Sequence, residues 1–257
     1  MARHEDGSAG DANYGAIGPG YTSYRQPEPA IEALIHQALG DARTVLNVGA
    51  GAGSYEPRDR EVTAVEPSES MRAQRPAHLV RAIDAVAEKL PFADKHFDAA
   101  MATFTVHQWP DLAAGLAEVI RVTRGAVLIL SCDPELVQHF WLNDYAPLVL
   151  STEARRYPSM RAIAGAFAGG ADVLPVPIPL NCRDGFNEAY YGRPEMLLQD
   201  GARKANSAWS FVDAEIARGY VFHLGDDIET GVWDRKHGHL RTQPAFEGSL
   251  RLVVGRP

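Results

Sequence analysis

The chain has little cysteine and no long apolar run. Its 257 residues include only two cysteines, Cys132 and Cys182, and neither belongs to a C-x-x-C pair, so we expect neither a disulfide framework nor a zinc site. No stretch approaches the roughly 18 consecutive apolar residues that a membrane-spanning helix needs. Residues 1–10 are polar and lack the apolar core of a signal peptide. These absences predict a cytoplasmic protein without a membrane span.

Positive charge is also scarce. The sequence carries 25 Lys and Arg residues against 33 Asp and Glu residues, a net charge of −8, and it shows no basic stripe. Because nucleic-acid binding requires clustered Lys and Arg, we do not expect a nucleic-acid partner. With 46% hydrophobic residues the chain is expected to be globular. Its length suits one large α/β domain with an inserted cap.

A glycine loop between two strand-like segments is the most informative feature that is present. Residues 44–53 read Thr-Val-Leu-Asn-Val-Gly-Ala-Gly-Ala-Gly, and the next strand-like segment ends in Glu66. Glycines let the backbone approach a ligand closely, and the start of a following helix offers free N–H groups. A carboxylate at the tip of the neighbouring parallel strand can accept hydrogen bonds from both ribose hydroxyls. The pattern predicts a nucleoside site, although a tight turn would explain the glycines alone.

The spacing of the glycines disfavours a dinucleotide. The dinucleotide fingerprint is G-x-G-x-x-G. In this chain the third glycine comes one residue early, at Gly53, and Ser54 stands in the fingerprint position. An NAD-dependent oxidoreductase is therefore the less favoured interpretation.

Further strand-like segments extend the pattern to a whole sheet. Strands three, four and five are predicted at residues 79–85, 97–103 and 125–131, with helices starting at Pro29 and Asp111. Residues 172–180 contain three prolines at every second position, which remove N–H groups on one side of a strand. That segment must lie at an edge of the sheet. Residues 248–255 form the natural seventh strand.

With these motifs the chain resembles the class I S-adenosylmethionine (SAM)-dependent methyltransferases of the small-molecule group, over about residues 20–131. The resemblance implies an α/β fold with a Rossmann-like, doubly wound, seven-stranded sheet of order 3-2-1-4-5-7-6, its last strand antiparallel, and a helical cap. It implies SAM as the cofactor. It also divides the chain into an N-terminal lid at residues 1–25 and a SAM-binding domain at 26–257. Cap elements are expected at about 132–171 and 181–245.

The resemblance also assigns cofactor contacts. Glu66 would hold the ribose, Asp84 would receive the adenine amino group unless it caps a helix, and Met71 would pack on adenine unless it fills the core. Arg25 would approach the cofactor carboxylate. Asn47 replaces the acidic residue that the family usually has two positions before the first glycine, which would weaken attraction to the ammonium group. The full expected set is Tyr24, Arg25, Asn47, Gly49, Ala50, Gly51, Glu66, Pro67, Met71, Asp84, Ala85 and Thr103.

His107 is the candidate catalytic residue. It follows the fourth strand, at the carboxyl end of the sheet where ligands bind in doubly wound folds. It could act as a general base, line the pocket, or serve a structural role. Aromatic residues around the cap and the N-terminus are expected to contact the substrate, unless they form the cap's own core. They are Tyr14, Tyr21, Trp109, Trp141, Tyr145, Phe186 and Tyr190.

The function that these expectations favour is an enzyme, a SAM-dependent methyltransferase acting on a small aromatic or apolar metabolite. A non-methylating enzyme on the same scaffold, such as a cyclase, and a regulatory protein that binds SAM or its demethylated product are the alternatives. Asp133 occupies a position where metal-dependent relatives carry a ligand, but we interpret it as a lone Asp rather than part of a metal-binding acid pair. No metal is therefore expected. A monomer or a homodimer would fit.

Overall fold

A six-stranded sheet forms the centre of the part of the chain that the computed structural model describes, residues 10–11 and 20–257. Its order is β2-β1-β3-β4-β8-β5, where β1 to β4 are parallel and β8 is antiparallel to both of its neighbours. A separate pair joins β6 to β7. The strand bounds are β1 (Thr44–Val48), β2 (Glu61–Val65), β3 (Ala99–Thr103), β4 (Val127–Cys132), β5 (Ala171–Pro175), β6 (Ile178–Pro179), β7 (Ala245–Phe246) and β8 (Leu250–Gly255).

The predicted fold class and strand order are confirmed, with one strand fewer. Residues 79–85 do not form a strand, because only Ile83 pairs, through a single parallel bridge to Val65 of β2. Val80 and Ile83 remain 47% and 42% exposed. None of the described residues forms a layer over this edge, so the apolar side chains there gain too little burial to hold a longer strand.

The proline-containing segment does lie at the edge of the sheet, as predicted. β5 pairs with β8 alone. The edge strand is shorter than expected, because the chain leaves the central sheet after Pro175. The following residues, Ile178–Pro179, pair instead with Ala245–Phe246. Pro175 and Pro179 each remove a backbone donor, which prevents one continuous ladder through this segment.

The helices cover both faces of the sheet, and several begin at the signals expected from the sequence. Glu28 caps the helix that starts with Pro29, and Asp111 caps the helix that follows β3. The helices are α1 (Tyr21–Tyr24), α2 (Pro29–Ala38), α3 (Glu69–Ala73), α4 (Leu112–Val122), α5 (Pro134–Val137), α6 (Pro147–Arg156), α7 (Met160–Ala164), α8 (Asp200–Lys204), α9 (Ala214–Glu229) and α10 (Val232–His237). Short 3₁₀ turns occupy Val106–Gln108, Trp141–Asp144, Asn187–Tyr190, Pro194–Leu198, Ser207–Phe211 and Gly238–Thr242. Within the described ranges, no helix is long and apolar enough to cross a membrane.

Two apolar clusters lie on opposite faces of the sheet. Leu128 and Leu130 of β4 join the cluster beneath α2, while Val127 and Ile129 join the cluster beneath α4. Because successive side chains of a strand point to opposite faces, this alternation buries β4 at all six positions. The first cluster continues into the cap elements between β4 and β8, so the cap shares a core with the sheet.

Glu188 anchors one of the cap turns to the start of β8. Its two carboxyl oxygens accept the Ser249 N–H at 2.9 Å each, and the Ser249 hydroxyl donates to Oε2 at 2.9 Å. The side chain is buried. Burial raises the pKa of Glu188 to about 7, although the bonds from Ser249 favour the charged form.

This pKa predicts that stability falls as pH rises from about 5 to 7. With a folded-state pKa of about 7, the native state keeps a proton that the unfolded chain has already released. The stabilisation is therefore complete at low pH and is lost as pH rises through the folded pKa, by about 2–3 kcal/mol. Glu188→Gln resembles the protonated acid and should remove this part of the slope. Urea unfolding of both chains across this range measures it, and identical slopes would contradict the prediction.

Candidate functional site

A cavity opens at the carboxyl ends of β1, β2 and β3. This is the switch point of a doubly wound sheet, where the connections leave in opposite directions and ligands bind. Many of the predicted site residues meet here. The lining residues are Gly10, Tyr21, Arg25, Gly49, Ala50, Gly51, Ala52, Ser54, Glu66, Pro67, Ser68, Met71, Ala85, Val86, Ala87, Glu88, Thr103, Phe104, Thr105, Gln108, Trp109, Pro110 and Asp184.

The glycine loop needs glycine for both conformation and space. Gly49 and Gly51 have φ of +67° and +50°, in the left-handed region that other residues rarely adopt. A Cβ atom on Gly49 would lie 2.0 Å from the Thr105 hydroxyl oxygen. The loop therefore presents bare backbone to the cavity, which a cofactor can approach closely.

Glu66 holds this loop in place. One carboxyl oxygen accepts the Gly51 N–H at 2.8 Å, and the other accepts the Ser68 N–H at 2.8 Å. The side chain is only 7% exposed, and burial raises the pKa of Glu66 even though both hydrogen bonds lower it. Each oxygen keeps acceptor capacity for a further donor, such as a ribose hydroxyl.

A buried polar network lies behind the loop, and sequence analysis missed it. Asn47 Nδ2 donates to Glu56 Oε1 at 2.9 Å, and Arg75 donates to both oxygens of Glu56 at 2.9 and 2.8 Å. Arg75 also donates to the Gly51 carbonyl at 3.4 Å. The side chains of Arg75 and Glu56 are 4% and 1% exposed. The pair therefore ties the glycine loop to the segment after α3.

Asn47 does not line the cavity, which corrects its expected cofactor contact. Its amide points its donor at Glu56. A carboxylate at this position would instead place two negative charges within hydrogen-bond distance in a buried site. The amide is thus the side chain that fits the neighbouring Glu56, and the departure from the family's acidic residue has a local cause.

Asp84 also lies outside the cavity. Its side chain is 54% exposed and pairs with Arg72 at 3.6 Å. The residues that do line the wall there are Ala85, Val86 and Ala87, together with Met71 of α3. An adenine amino group at this end would meet backbone and apolar side chains rather than the Asp84 carboxylate.

Arg25 lies in the cavity wall but is engaged. Its Nε donates to Asp184, whose other oxygen accepts the Tyr55 hydroxyl at 2.7 Å. The guanidinium also lies over the rings of Phe104 and Tyr21, 5.0 and 5.6 Å from their centres. No signal in the sequence pointed to Asp184, because 159 residues separate it from Arg25. Phe104 could have been found, since it directly follows the predicted fourth strand.

Tyr24 lies away from the cavity, packed against Gly201 of α8. Its hydroxyl donates to Gln199 at 3.4 Å. The expected contact of Tyr24 with the cofactor is therefore not supported by its position. Tyr14 lies outside the described residues.

A second cavity adjoins the first, and Tyr21, Arg25 and Phe104 line both. Its other walls bring together aromatic and polar side chains from β3 onward. They are His107, Glu153, Arg156, Tyr157, Phe186, Ala205, Asn206, Ser207 and Ala208. Of the predicted residues, Tyr21, Arg25, His107 and Phe186 are found here.

His107 is partly buried in the wall of this cavity, and its ring is neutral. Its ring meets Tyr157 edge-on at 4.8 Å, and its Nδ1 has no hydrogen-bond partner among the described residues. Burial lowers the pKa of His107 to about 3, and the charge of Arg156 lowers it further. A ring with this pKa binds a proton too weakly to serve as an efficient general base near neutral pH.

The other aromatic residues that were predicted to contact the substrate divide into two groups. Trp109 lines the first cavity and packs on Gly115. Trp141, Tyr145 and Tyr190 line neither cavity and belong to the buried core cluster. The Trp141 N–H donates to the Tyr191 carbonyl at 2.9 Å, and the Tyr145 hydroxyl donates to Asp227 at 2.7 Å. These three form the core that supports the site, rather than contacting a substrate as expected.

Comparisons with known proteins agree with this geometry. Residues 46–130 match a family model described as a methyltransferase domain. Demethylmenaquinone methyltransferase of Desulfitobacterium hafniense (strain Y51) is 32% identical over 103 residues, which cover 32% of this chain and 41% of that protein. The chain spans about two fifths of the length of the curated relatives it matches.

Solved structures extend the similarity to nearly the whole chain. A candidate methyltransferase from an antibiotic biosynthesis pathway of Anabaena variabilis ATCC 29413 is 26% identical, with a TM-score of 0.84, and covers 91% of this chain and 99% of its own. The [4+2]-cyclase SpnF shares the fold at 16% identity and a TM-score of 0.56, over 95% of this chain and 92% of its own.

The buried Arg75–Glu56 pair yields a prediction for stability. Glu56→Gln or Arg75→Met alone leaves one buried polar partner uncompensated and should destabilise the chain by about 3–5 kcal/mol. Combining the two changes should cost less than the sum of the single losses. Asp172→Asn is the matched control, because its pair with Arg256 is about half exposed and should matter little. Urea unfolding of the wild type, the two single variants, the double variant and the control measures the free energy of unfolding of each. Strictly additive losses of stability in the double variant would contradict the coupling.

Proposed function

We propose that this chain is a class I SAM-dependent methyltransferase and that it transfers the methyl group of SAM to a small aromatic or apolar acceptor. The observation that carries the proposal is the pair of adjoining cavities. The first has the glycine loop and Glu66, and the second has aromatic walls. Shared residues between them would bring an acceptor atom next to a bound cofactor, which is the main demand of methyl transfer.

The residues of the first cavity suit each part of SAM. The backbone of Gly49 and Gly51 would face the methionine portion, near Thr103, and Glu66 would accept the ribose hydroxyls. Met71 and Ala85 would contact adenine from the apolar wall. The bound cofactor supplies an electrophilic methyl sulfonium.

The second cavity would hold the acceptor. Phe104 and Tyr21 stand where the two cavities meet, and Phe186 and Tyr157 widen the aromatic wall. Such walls exclude water and align a flat ring, and aromatic faces favour an approaching cationic centre. In this role His107 is a lining residue, since its neutral ring contributes shape rather than a proton acceptor.

The shared fold of the cyclase means that fold alone does not decide the reaction. The test is the appearance of S-adenosylhomocysteine when the chain is incubated with SAM and a panel of aromatic acceptors. We expect one methylated product for each demethylated cofactor. Acceptor conversion without demethylation of SAM would favour a non-methylating enzyme instead.

Glu66→Gln is predicted to weaken SAM binding by about 1.5–3 kcal/mol, the range for hydrogen bonds to a charged group. The loss combines the ribose contact with the Gly51 N–H that Glu66 holds. Glu61→Gln, at the exposed start of the same strand, is the matched control and should bind SAM as the wild type does. Titration calorimetry measures the dissociation constants. Equal values for Glu66→Gln and wild type would place the ribose elsewhere.

His107→Ala is predicted to change the KM for the acceptor more than turnover. A ring with a pKa of about 3 stays neutral from pH 5 to 8, so removing it should shift no inflection of the pH–rate profile in that range. We expect turnover within about tenfold of wild type, against the 10²–10⁴-fold loss typical of a removed general base. Steady-state kinetics across this pH range provide the measurement. A larger loss that is partly restored at high pH would make His107 the base.

A further inference from the structure

Arg156, in the wall of the second cavity, binds the carboxylate of Asp11 from the N-terminal part of the chain. Its Nε and Nη2 donate to the two oxygens of Asp11, each at 2.7 Å, and its Nη1 donates to the Ser207 hydroxyl at 2.8 Å. The Arg156 side chain is 10% exposed, whereas that of Asp11 is 39% exposed. A buried, oriented guanidinium thus faces a carboxylate that comes from outside.

The surroundings fix Arg156 in this orientation. Its guanidinium lies over the Phe211 ring, 4.7 Å from the centre, and Ser207 belongs to the same 3₁₀ turn as Phe211. The planar fork of arginine matches a planar carboxylate through two parallel hydrogen bonds. The site is therefore shaped for a carboxylate, with a hydroxyl beside it.

The other charged groups on this cavity do not occupy the site. Arg25 pairs with Asp184. Glu153 accepts a hydrogen bond from Asn187 at 2.8 Å, and burial raises the pKa of Glu153, which favours its neutral form. Among the described residues, the carboxylate that pairs with Arg156 is that of Asp11.

Asp11 also adjoins the first cavity through its neighbour. Gly10 lines that cavity and packs so closely on Gln108 that a Cβ atom would lie 2.2 Å from its side-chain oxygen. The Gly10–Asp11 step therefore contacts a wall residue of each cavity, Gln108 of the first and Arg156 of the second. A ligand that fills the second cavity would compete with the Asp11 carboxylate for Arg156.

We propose that Arg156 and Ser207 form a carboxylate-binding subsite for the acceptor, and that Asp11 occupies it as an internal competitor. The acceptor is then an aromatic carboxylic acid, whose ring lies among Phe104, Tyr157 and Phe186 while its carboxylate replaces that of Asp11. The proposal deepens the proposed function, because it names the chemical class of the acceptor for that same site.

Benzoate and benzamide are the probes that test it, since they share a ring and differ in charge. Asp11→Asn removes the competing charge without changing the size of the side chain. It should raise the affinity for benzoate about tenfold, because a neutral amide binds Arg156 less tightly than a carboxylate does, and change that for benzamide less than twofold. Arg156→Lys added to Asp11→Asn keeps a positive charge but loses the two-pronged geometry, and should abolish the gain.

Asp172→Asn is the matched control, because it breaks an exposed Arg–Asp pair at the far edge of the sheet. It should leave the affinity for benzoate unchanged. Calorimetry on the full chain with saturating S-adenosylhomocysteine, and again without it, gives the dissociation constants, and urea unfolding shows that each variant is folded. Equal benzoate affinities for wild type and Asp11→Asn, or an equal gain for benzamide, would overturn the subsite.

SAM binding, measured on the same samples, separates the two proposals. SAM binding without discrimination between benzoate and benzamide would overturn the carboxylate subsite and leave the methyltransferase standing. Arg156-dependent discrimination without SAM binding would keep the carboxylate subsite and overturn the methyltransferase.

Discussion

The buried ion pair between Arg25 and Asp184 is the interaction on which the site depends. It joins three parts of the chain that are distant in sequence, because Tyr55, which follows the glycine loop, donates to the same carboxylate. Removing either charge would leave the other buried without its partner, which costs far more than an exposed pair. Both cavities have Arg25 in their walls, so this node fixes the position of one relative to the other.

Two of the three described non-glycine residues with a positive φ lie at the same node. Tyr55 and Phe104 have φ of +65° and +53°, although neither is glycine. Each left-handed residue costs about 1–2 kcal/mol. Tyr55 offsets that cost through its hydrogen bond to Asp184, and Phe104 through its contact with the Arg25 guanidinium. The two strained residues thus place an aromatic ring and a hydroxyl where relaxed backbone would not.

Much of the fold and the cofactor loop could be predicted because their signals are local. Gly49, Gly51 and Glu66 lie within 18 residues, and the prolines of the edge strand are two positions apart. The failure at residues 79–85 has a different cause, since whether an apolar segment becomes a strand depends on the layer that covers it. The partners of Arg25 and Arg156 were out of reach for a similar reason. They are 159 and 145 residues distant, and only the folded chain brings them together.

Asn47 shows how a departure from a family pattern can be compensated nearby. In place of the expected acid, the chain has an amide that donates to Glu56, and Glu56 holds Arg75 against the loop carbonyl. The negative charge has therefore moved from the strand to the end of the glycine loop, where a cation of the chain itself neutralises it. The Asn47 amide therefore brings no negative charge to the cavity. The loop is then positioned by the protein's own charges.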